Sequence, residues 1–87
     1  MKNMPGPQIS ERLRSLISNI CNISPEKISL ETHFIKDLKF DSLRSIELIM
    51  AIYEEFGIEI SKDEGIKLQT VENLLNLLST KMSQHEP

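Results

Sequence analysis

The chain has 87 residues, with ten basic and thirteen acidic side chains and a formal net charge of −3. That length suits one small domain with a single modest core. Residues 31–60 hold seven of the acidic side chains and only three basic ones, which argues against nucleic acid and for a basic protein partner.

Two further features bound the setting of the protein. No apolar stretch is long enough to span a membrane, and the N-terminus lacks the apolar segment of a signal peptide, so we expect a cytoplasmic protein. Cys21 is the only cysteine, which excludes an internal disulfide and a cysteine-based metal cluster. We expect this thiol in the core or at the edge of the first helix.

A first helix is predicted over residues 8–22, after a flexible tail of residues 1–7. Apolar side chains recur along it at helical spacing, which indicates a core-facing stripe: Ile9, Leu13, Leu16, Ile17 and Ile20. The other side carries polar residues that are expected to face solvent: Glu11, Arg12, Arg14, Ser18 and Asn19.

A long connection over residues 23–41 follows, and a loop of this length needs anchors in a compact domain. Ser24 can cap one helical turn that begins at Pro25. Phe34 and Leu38 are expected to pin the loop across the helices, with further apolar anchors at Ile28, Leu30 and Ile35.

A second helix is predicted over residues 42–56, with Asp41 as its N-cap and Gly57 as its stop. Ser42 then lies in the first turn, beside unpaired N–H groups at the positive end of the helix dipole, where a phosphate is favoured. Position alone favours an ordinary first-turn serine over a phosphate-bearing one.

The second helix carries more apolar surface than one core face requires. At about 100° per residue, the core face is expected to hold Ser45, Leu48, Ile49, Ile52 and Phe56. Leu43, Ile46 and Met50 fall on another side, close to Glu47 and Glu54. Either the core is wide, or these residues form a docking face that the glutamates help to steer. Glu55 lies farther round, nearer Arg44, and is a weaker docking candidate.

The rest of the chain predicts a short and a long helix. Ile58-Glu59-Ile60 alternates like a strand but has no partner strand, so we expect a loop with buried isoleucines. Ser61 and Glu64 have the spacing of a capping box for a short helix to about residue 67. Thr70 can cap the last helix, whose buried stripe is Val71, Leu74, Leu75, Leu78 and Met82.

The predicted fold class is therefore all-α: a small four-helix bundle with three main helices, one short helix and a long loop between the first and second helices. The single domain is expected to span residues 8–82, and residues 83–87 should form a flexible C-terminal tail.

The triplet Asp41-Ser42-Leu43 invites comparison with the Gly-Asp-Ser-Leu hydrolases. The match fails, because Phe40 replaces the glycine and no Asp-x-x-His pair exists. The chain is also too short for the scaffold of those enzymes. The only general-base candidates are His33, a loop residue, and His85, in the tail. The cluster Asp37, Asp41 and Glu47 fits no specific metal loop. We expect neither catalysis nor a bound metal.

Three segments together resemble the acyl carrier proteins, and the resemblance covers residues 9–82. They are Phe34-Ile35-x-Asp37-Leu38-x-x-Asp41-Ser42-Leu43, Ile46-Glu47-Leu48-Ile49-Met50 and Glu54-Glu55-Phe56-Gly57-Ile58-Glu59-Ile60. The resemblance implies a four-helix, monomeric, non-catalytic carrier with 4′-phosphopantetheine attached to Ser42, between Asp41 and Leu43.

The resemblance also implies a set of partners. A Mg²⁺-dependent phosphopantetheinyl transferase would load the arm from coenzyme A. The arm would carry thioesters to an acyl-ACP synthase, ketosynthase or acyltransferase of fatty-acid, polyketide or related biosynthesis, and an acyl chain could slip between the helices. The docking residues implied are Leu43, Ile46, Glu47, Met50, Glu54 and Arg44.

The chain departs from the common family pattern at two places. Lys39-Phe40 stands where small residues, often Gly-Ala, precede the triplet, and Arg44 stands where an acidic residue is frequent. These departures favour a carrier for a dedicated pathway with its own synthase or transferase. A peptidyl or D-alanyl carrier, which often has Gly-Gly before the serine, and a helical adaptor with unmodified Ser42 remain alternatives.

Overall fold

The computed structural model describes residues 7–84, and the side chains of residues 9–82. Four α-helices follow one another: α1 (Pro7–Cys21), α2 (Ser42–Phe56), α3 (Lys62–Ile66) and α4 (Val71–Gln84), with one 3-10 turn at Pro25–Lys27. Within this part of the chain there is no strand, only an isolated antiparallel bridge between His33 and Thr70. The predicted all-α bundle with a long loop after its first helix is confirmed.

The helix ends differ slightly from the predicted ones. Asn22 falls outside α1 because its backbone is left-handed, with φ of 60°. At the other end α4 continues to Gln84, two residues beyond the predicted end of the domain. Residues 1–6 and 85–87 of the expected tails, including His85, lie outside the described residues. No helix in residues 7–84 is long and apolar enough to cross a bilayer.

The core is built by the three long helices and sealed by the loops. Its completely buried side chains come from α1, α2 and α4: Leu13, Ile17, Ile52, Leu74 and Leu78. Burying each such side chain stabilises the fold by about 1.5–3 kcal/mol. Ile58 and Ile60 are buried in the loop after α2, as predicted.

The long loop is anchored by two apolar side chains and is hydrogen-bonded to the start of α4. Phe34 is buried, and its amide donates to the Gln69 carbonyl at 2.9 Å. Leu38 is partly buried against the core. The Thr32 carbonyl accepts the Val71 amide at 3.0 Å, which fixes the loop to the start of α4. Phe34 and Leu38 therefore hold the loop as predicted.

Two of the proposed loop anchors were wrong. Leu30 and Ile35 are exposed. Leu30 is held through its backbone, because its carbonyl accepts the Glu72 amide at 3.0 Å. Ile35 lies in the run of turns over residues 34–38 and faces outward, so the backbone rather than the side chain fixes both positions.

Ser18 and Ser45 were assigned to the wrong sides of their helices. Ser18 is buried, because the left-handed turn at Asn22 folds the chain back over α1 and lets the Ser18 hydroxyl donate to the Ile23 carbonyl. A buried hydroxyl with an acceptor costs little. Ser45 is exposed, because burial along α2 begins only at Leu48.

The predicted caps are largely present. Ser61 Oγ accepts the Glu64 amide while Glu64 accepts the Ser61 amide, the reciprocal pair of a capping box. The hydrogen bond from the Ser61 amide, followed by the contact with Lys81 Nζ at 3.0 Å, lowers the pKa of the Glu64 carboxyl. Thr70 Oγ1 accepts the Asn73 amide. Ser24 precedes the 3-10 turn as expected, but its side chain makes no cap hydrogen bond.

Candidate functional site

The loop delivers the chain to α2 between two buried aromatic rings. Phe34 and Phe40 are both buried, with ring centroids 5.2 Å apart and an angle of 54° between the planes. Between them, Lys39 has φ of 58° and an exposed side chain. Lys39 and Phe40 depart from the common family pattern. Phe40 places its ring in the core, which was not expected from the sequence, and Lys39 places its cation in solvent. Phe40 lies two residues after Leu38, and this spacing could have indicated that both side chains face the core.

Asp41 begins α2 as predicted. Its backbone is extended and its Oδ1 accepts the Arg44 amide at 2.9 Å, while its carbonyl accepts the Ser45 amide at 3.0 Å. The helix geometry leaves the amides of Ser42 and Leu43 without intrahelical acceptors. The first turn of α2 therefore presents free N–H groups around the Ser42 hydroxyl.

Ser42 is exposed, and so are all the residues from Asp41 to Glu47. A group attached to this hydroxyl can extend into solvent without displacing any core side chain. The amides of the turn and the helix dipole favour a negatively charged phosphodiester here, by about 0.3–1 kcal/mol at an exposed position. The site is therefore sterically and electrostatically suited to 4′-phosphopantetheine.

One side of α2 forms an exposed apolar face, defined by Leu43, Ile46, Met50 and Tyr53. These side chains are between 54% and 63% exposed, so the wider-core explanation of the first three is wrong. Tyr53 was missed by the sequence analysis, although the intervals of three and four that join the other members also reach it. Large apolar side chains exposed together on one helix face are a common feature of interaction surfaces.

The charges beside this face differ in the partners that they contact. Glu47 and Glu54 are exposed on α2. Glu55 instead contacts Arg12 of α1, with Nη2 and Oε2 2.7 Å apart, and Arg44 lies nearest Glu47, at 3.9 Å between Nε and Oε1. Glu55 and Arg44 both contact α1, which agrees with their expected proximity around the helix axis. The pairing with Arg12 keeps Glu55 a weaker docking candidate.

Cys21 lies at the end of α1, close to Arg44. Burial raises the pKa of this thiol, and the neighbouring guanidinium offsets only part of the rise. The raised pKa disfavours the thiolate, which is the nucleophilic form of cysteine. Its half-buried position at the helix edge agrees with the prediction.

A groove of about 810 Å³ opens beside the apolar face, between α2, the loop after it, α3 and α4. Met50 and Tyr53 belong to both the face and the groove. The other residues that line it are Ile49, Glu54, Ile58, Glu59, Ile60, Ser61, Glu64 and Lys81. Its volume lies in the range of small-molecule sites, and its lining mixes apolar side chains with three carboxylates, a serine and a lysine.

The remaining candidate groups have structural partners. The His33 amide donates to Asp37 Oδ2 at 2.7 Å, and His33 Nδ1 accepts the Lys36 amide at 3.3 Å. Both side chains thus shape the loop, and His33 is a loop residue as predicted. Across the described part of the chain, no group of three His, Cys, Asp or Glu side chains is arranged to hold a metal ion.

Comparison with known proteins defines the class first. Residues 11–78 match the family model described as the phosphopantetheine attachment site, so 4′-phosphopantetheine is the prosthetic group of this class. An acyl carrier protein of Thermosynechococcus vestitus is 41% identical over 80 residues, which cover 92% of this chain and 99% of the relative. An acyl carrier protein of Buchnera aphidicola is 44% identical over 73 residues, covering 84% and 92%. The chain belongs to the acyl carrier protein family, whose members are non-catalytic carriers.

Proposed function

We propose that this protein carries acyl intermediates as thioesters on a 4′-phosphopantetheine arm attached to Ser42. The observation that supports this most directly is the position of the hydroxyl: exposed, at the first residue of α2, directly after the capping Asp41. When attached, the arm supplies a thiol on which acyl groups are held in a form activated for condensation or transfer. The residues around Ser42 present the arm and take no part in that chemistry.

Loading depends on a separate phosphopantetheinyl transferase. The Asp41 carboxylate is occupied by the Arg44 amide, and His33 is engaged within the loop, so a base for the Ser42 hydroxyl must come from the transferase. Ser42 Oγ attacks the phosphorus of coenzyme A that bears pantetheine. An O–P bond forms, the pyrophosphate linkage breaks and adenosine 3′,5′-bisphosphate leaves, while the transferase takes the proton and supplies Mg²⁺.

The apolar face is the proposed docking surface for the enzymes that use the arm. Leu43 lies next to Ser42, and Met50 and Tyr53 extend the surface along α2. Glu54, together with the exposed Glu47, whose contact with Arg44 is 3.9 Å long, would steer a basic partner and set its orientation. An acyl-ACP synthase, ketosynthase or acyltransferase with an apolar depression and a basic rim would fit this surface.

The groove beside α2 suits an acyl chain. Its apolar walls include Ile49 and Met50, and methionine adapts to irregular shapes. Burial of each CH₂ group favours binding by about 0.8 kcal/mol, so chains of different length would be retained to different degrees.

We further propose that the protein serves a dedicated pathway. Lys39 and Arg44 place positive charge on both sides of the attachment residue, where the family more often has small or acidic residues. A partner evolved for this surface would tolerate or use those charges. Comparable turnover of the loaded protein by a general fatty-acid ketosynthase and by a dedicated synthase would contradict this specialisation.

Intact-mass measurement tests the attachment residue. After incubation with coenzyme A and a promiscuous transferase, the wild type should gain the mass of one phosphopantetheine, and Ser42→Ala should gain none. Ser45→Ala is the matched control, since Ser45 is an exposed serine in the same turn, and it should be loaded normally. If folded wild type gains no mass, the apolar face serves a helical adaptor instead.

A further inference from the structure

Helices α1 and α2 are tied together at both ends by arginine side chains. Near the start of α1, Arg12 donates to the carbonyl of Glu55 at 3.1 Å and to its Oε2 at 2.7 Å, and stacks 4.8 Å from the centre of the Phe56 ring. At the other end, Arg44 Nη1 donates to the Ile20 carbonyl at 2.8 Å. The two helices therefore run in opposite directions, and each contributes one arginine to the other's last turn.

The tie made by Arg44 lies where α2 has little else to hold it. All residues from Asp41 to Glu47 are exposed, and the first buried side chain of α2 is Leu48. A helix end without buried side chains opens at low free-energy cost. The first turn, which contains Ser42, is therefore fixed by hydrogen bonds rather than by packing in the core.

Arg44 supplies two of those bonds. Its amide donates to Asp41 Oδ1 and its guanidinium to the Ile20 carbonyl. Carbonyl groups in the last turn of a helix lack intrahelical donors, and a cation there also interacts favourably with the helix dipole. Ser42 lies between Asp41 and Arg44, the two residues joined by the hydrogen bond of the Arg44 amide. The Arg44 side chain therefore connects the turn that contains Ser42 to the end of α1.

We propose that Arg44 is a positioning residue for the loading of Ser42, because it holds the first turn of α2 against the C-terminus of α1. This inference rests on the proposed attachment at Ser42. It assigns the Arg44 guanidinium a bond within the protein, in place of the docking role that the family resemblance implied. A turn that is already formed raises the fraction of molecules in which the hydroxyl is presented to the transferase.

Three variants test this proposal. Arg44→Met removes the side-chain donor to Ile20, and Arg44→Lys keeps a donor and the charge. Arg12→Met removes the corresponding arginine contact between α1 and the last turn of α2. Amide hydrogen exchange of Ser45, whose amide donates to Asp41 within this turn, reports the turn in the free protein. The kcat/KM for loading, measured at low salt and at about 0.5 M salt, reports the reaction.

The expected results follow from the geometry. Arg44→Met should speed exchange of the Ser45 amide and lower kcat/KM about twofold to tenfold, the range set by one exposed hydrogen bond of ordinary strength. The loss should persist at about 0.5 M salt, where the screening length is only about 4 Å. Arg44→Lys should recover part of both the protection and the rate. Arg12→Met should leave both close to wild type.

Four results would overturn the proposal. They are an unchanged loading rate in Arg44→Met, a loss that disappears at high salt, an equal loss in Arg12→Met, and a lysine variant that recovers the rate without the protection. The second and fourth would identify a docking cation, and the third would identify general loosening of the bundle. Failure of the attachment itself is separate, since wild type would then remain unloaded while the exchange measurements still report the tie.

Discussion

The Phe34 side chain is the anchor that positions the loop before Ser42, and its removal gives the sharpest test of the fold. Phe34 is 6% exposed, and its ring packs 5.2 Å from that of Phe40. Replacing a buried phenylalanine by alanine costs about 3–5 kcal/mol. The backbone bonds of Phe34 to Gln69 and Phe40 are retained in Phe34→Ala, so we expect the lower end, about 3 kcal/mol.

This loss is large for so small a domain. Since about 1 kcal/mol shifts the melting temperature of a 60–100-residue domain by about 4–8 °C, Phe34→Ala should melt about 12–24 °C below wild type. Ile35→Ala is the matched control: the adjacent side chain is 64% exposed, and its loss should change stability by no more than about 0.5 kcal/mol. Thermal unfolding followed by circular dichroism measures both.

The two aromatic rings should also be coupled. Because Phe34 and Phe40 contact each other, their alanine variants should be non-additive by about 0.5–1.5 kcal/mol in a double-mutant cycle. A melting temperature of Phe34→Ala within a few degrees of wild type, or a loss as large in Ile35→Ala, would show that the loop is not held by this ring.

Two further predictions concern backbone conformation and pH. In urea unfolding, Lys39→Gly should be as stable as wild type or up to about 1.6 kcal/mol more stable. Relief of the left-handed conformation is worth about 1–2 kcal/mol, and the entropy that glycine adds to the unfolded chain costs about 0.4–1 kcal/mol. Lys36→Gly, without a positive φ, should lose stability. The lowered pKa of Glu64 means that its carboxylate stabilises the fold above the ordinary glutamate pKa of about 4.3, and that this contribution is lost as pH falls through the folded-state pKa. Glu64→Gln should therefore be less stable than wild type near neutrality and should approach it in acid; a constant difference between the two unfolding curves from neutral to acidic pH would contradict this.

Features of the fold that depend on neighbouring residues were predictable from the sequence. The Asp41 cap, the left-handed Gly57 at the end of α2 and the reciprocal pair of Ser61 and Glu64 all involve residues within four positions of one another. The periodic stripes of the three long helices were predictable for the same reason. Local hydrogen bonding and a fixed helical angle specify them without reference to the rest of the molecule.

Which residues near the helix ends are buried was less predictable, because a helical wheel does not show where along the helix packing begins. Ser45 lies on the angle of the core face but one turn before it, and Ser18 is buried only because the chain folds back at Asn22. The two arginine ties were beyond sequence reasoning altogether. Arg12 and Glu55 are 43 residues apart and Arg44 and Ile20 are 24 apart, and no local pattern relates them.

The site shows how an accessible residue can be fixed without being buried. A hydroxyl that an enzyme must reach cannot be packed in the core, and the structure leaves the whole segment from Asp41 to Glu47 exposed. Stability is supplied on either side of it instead: Phe34 and Phe40 hold the chain before the segment, and Leu48 begins the core after it. Between these anchors only directional bonds remain, which is why substitutions in the exposed segment should alter the presentation of Ser42 more than they alter global unfolding.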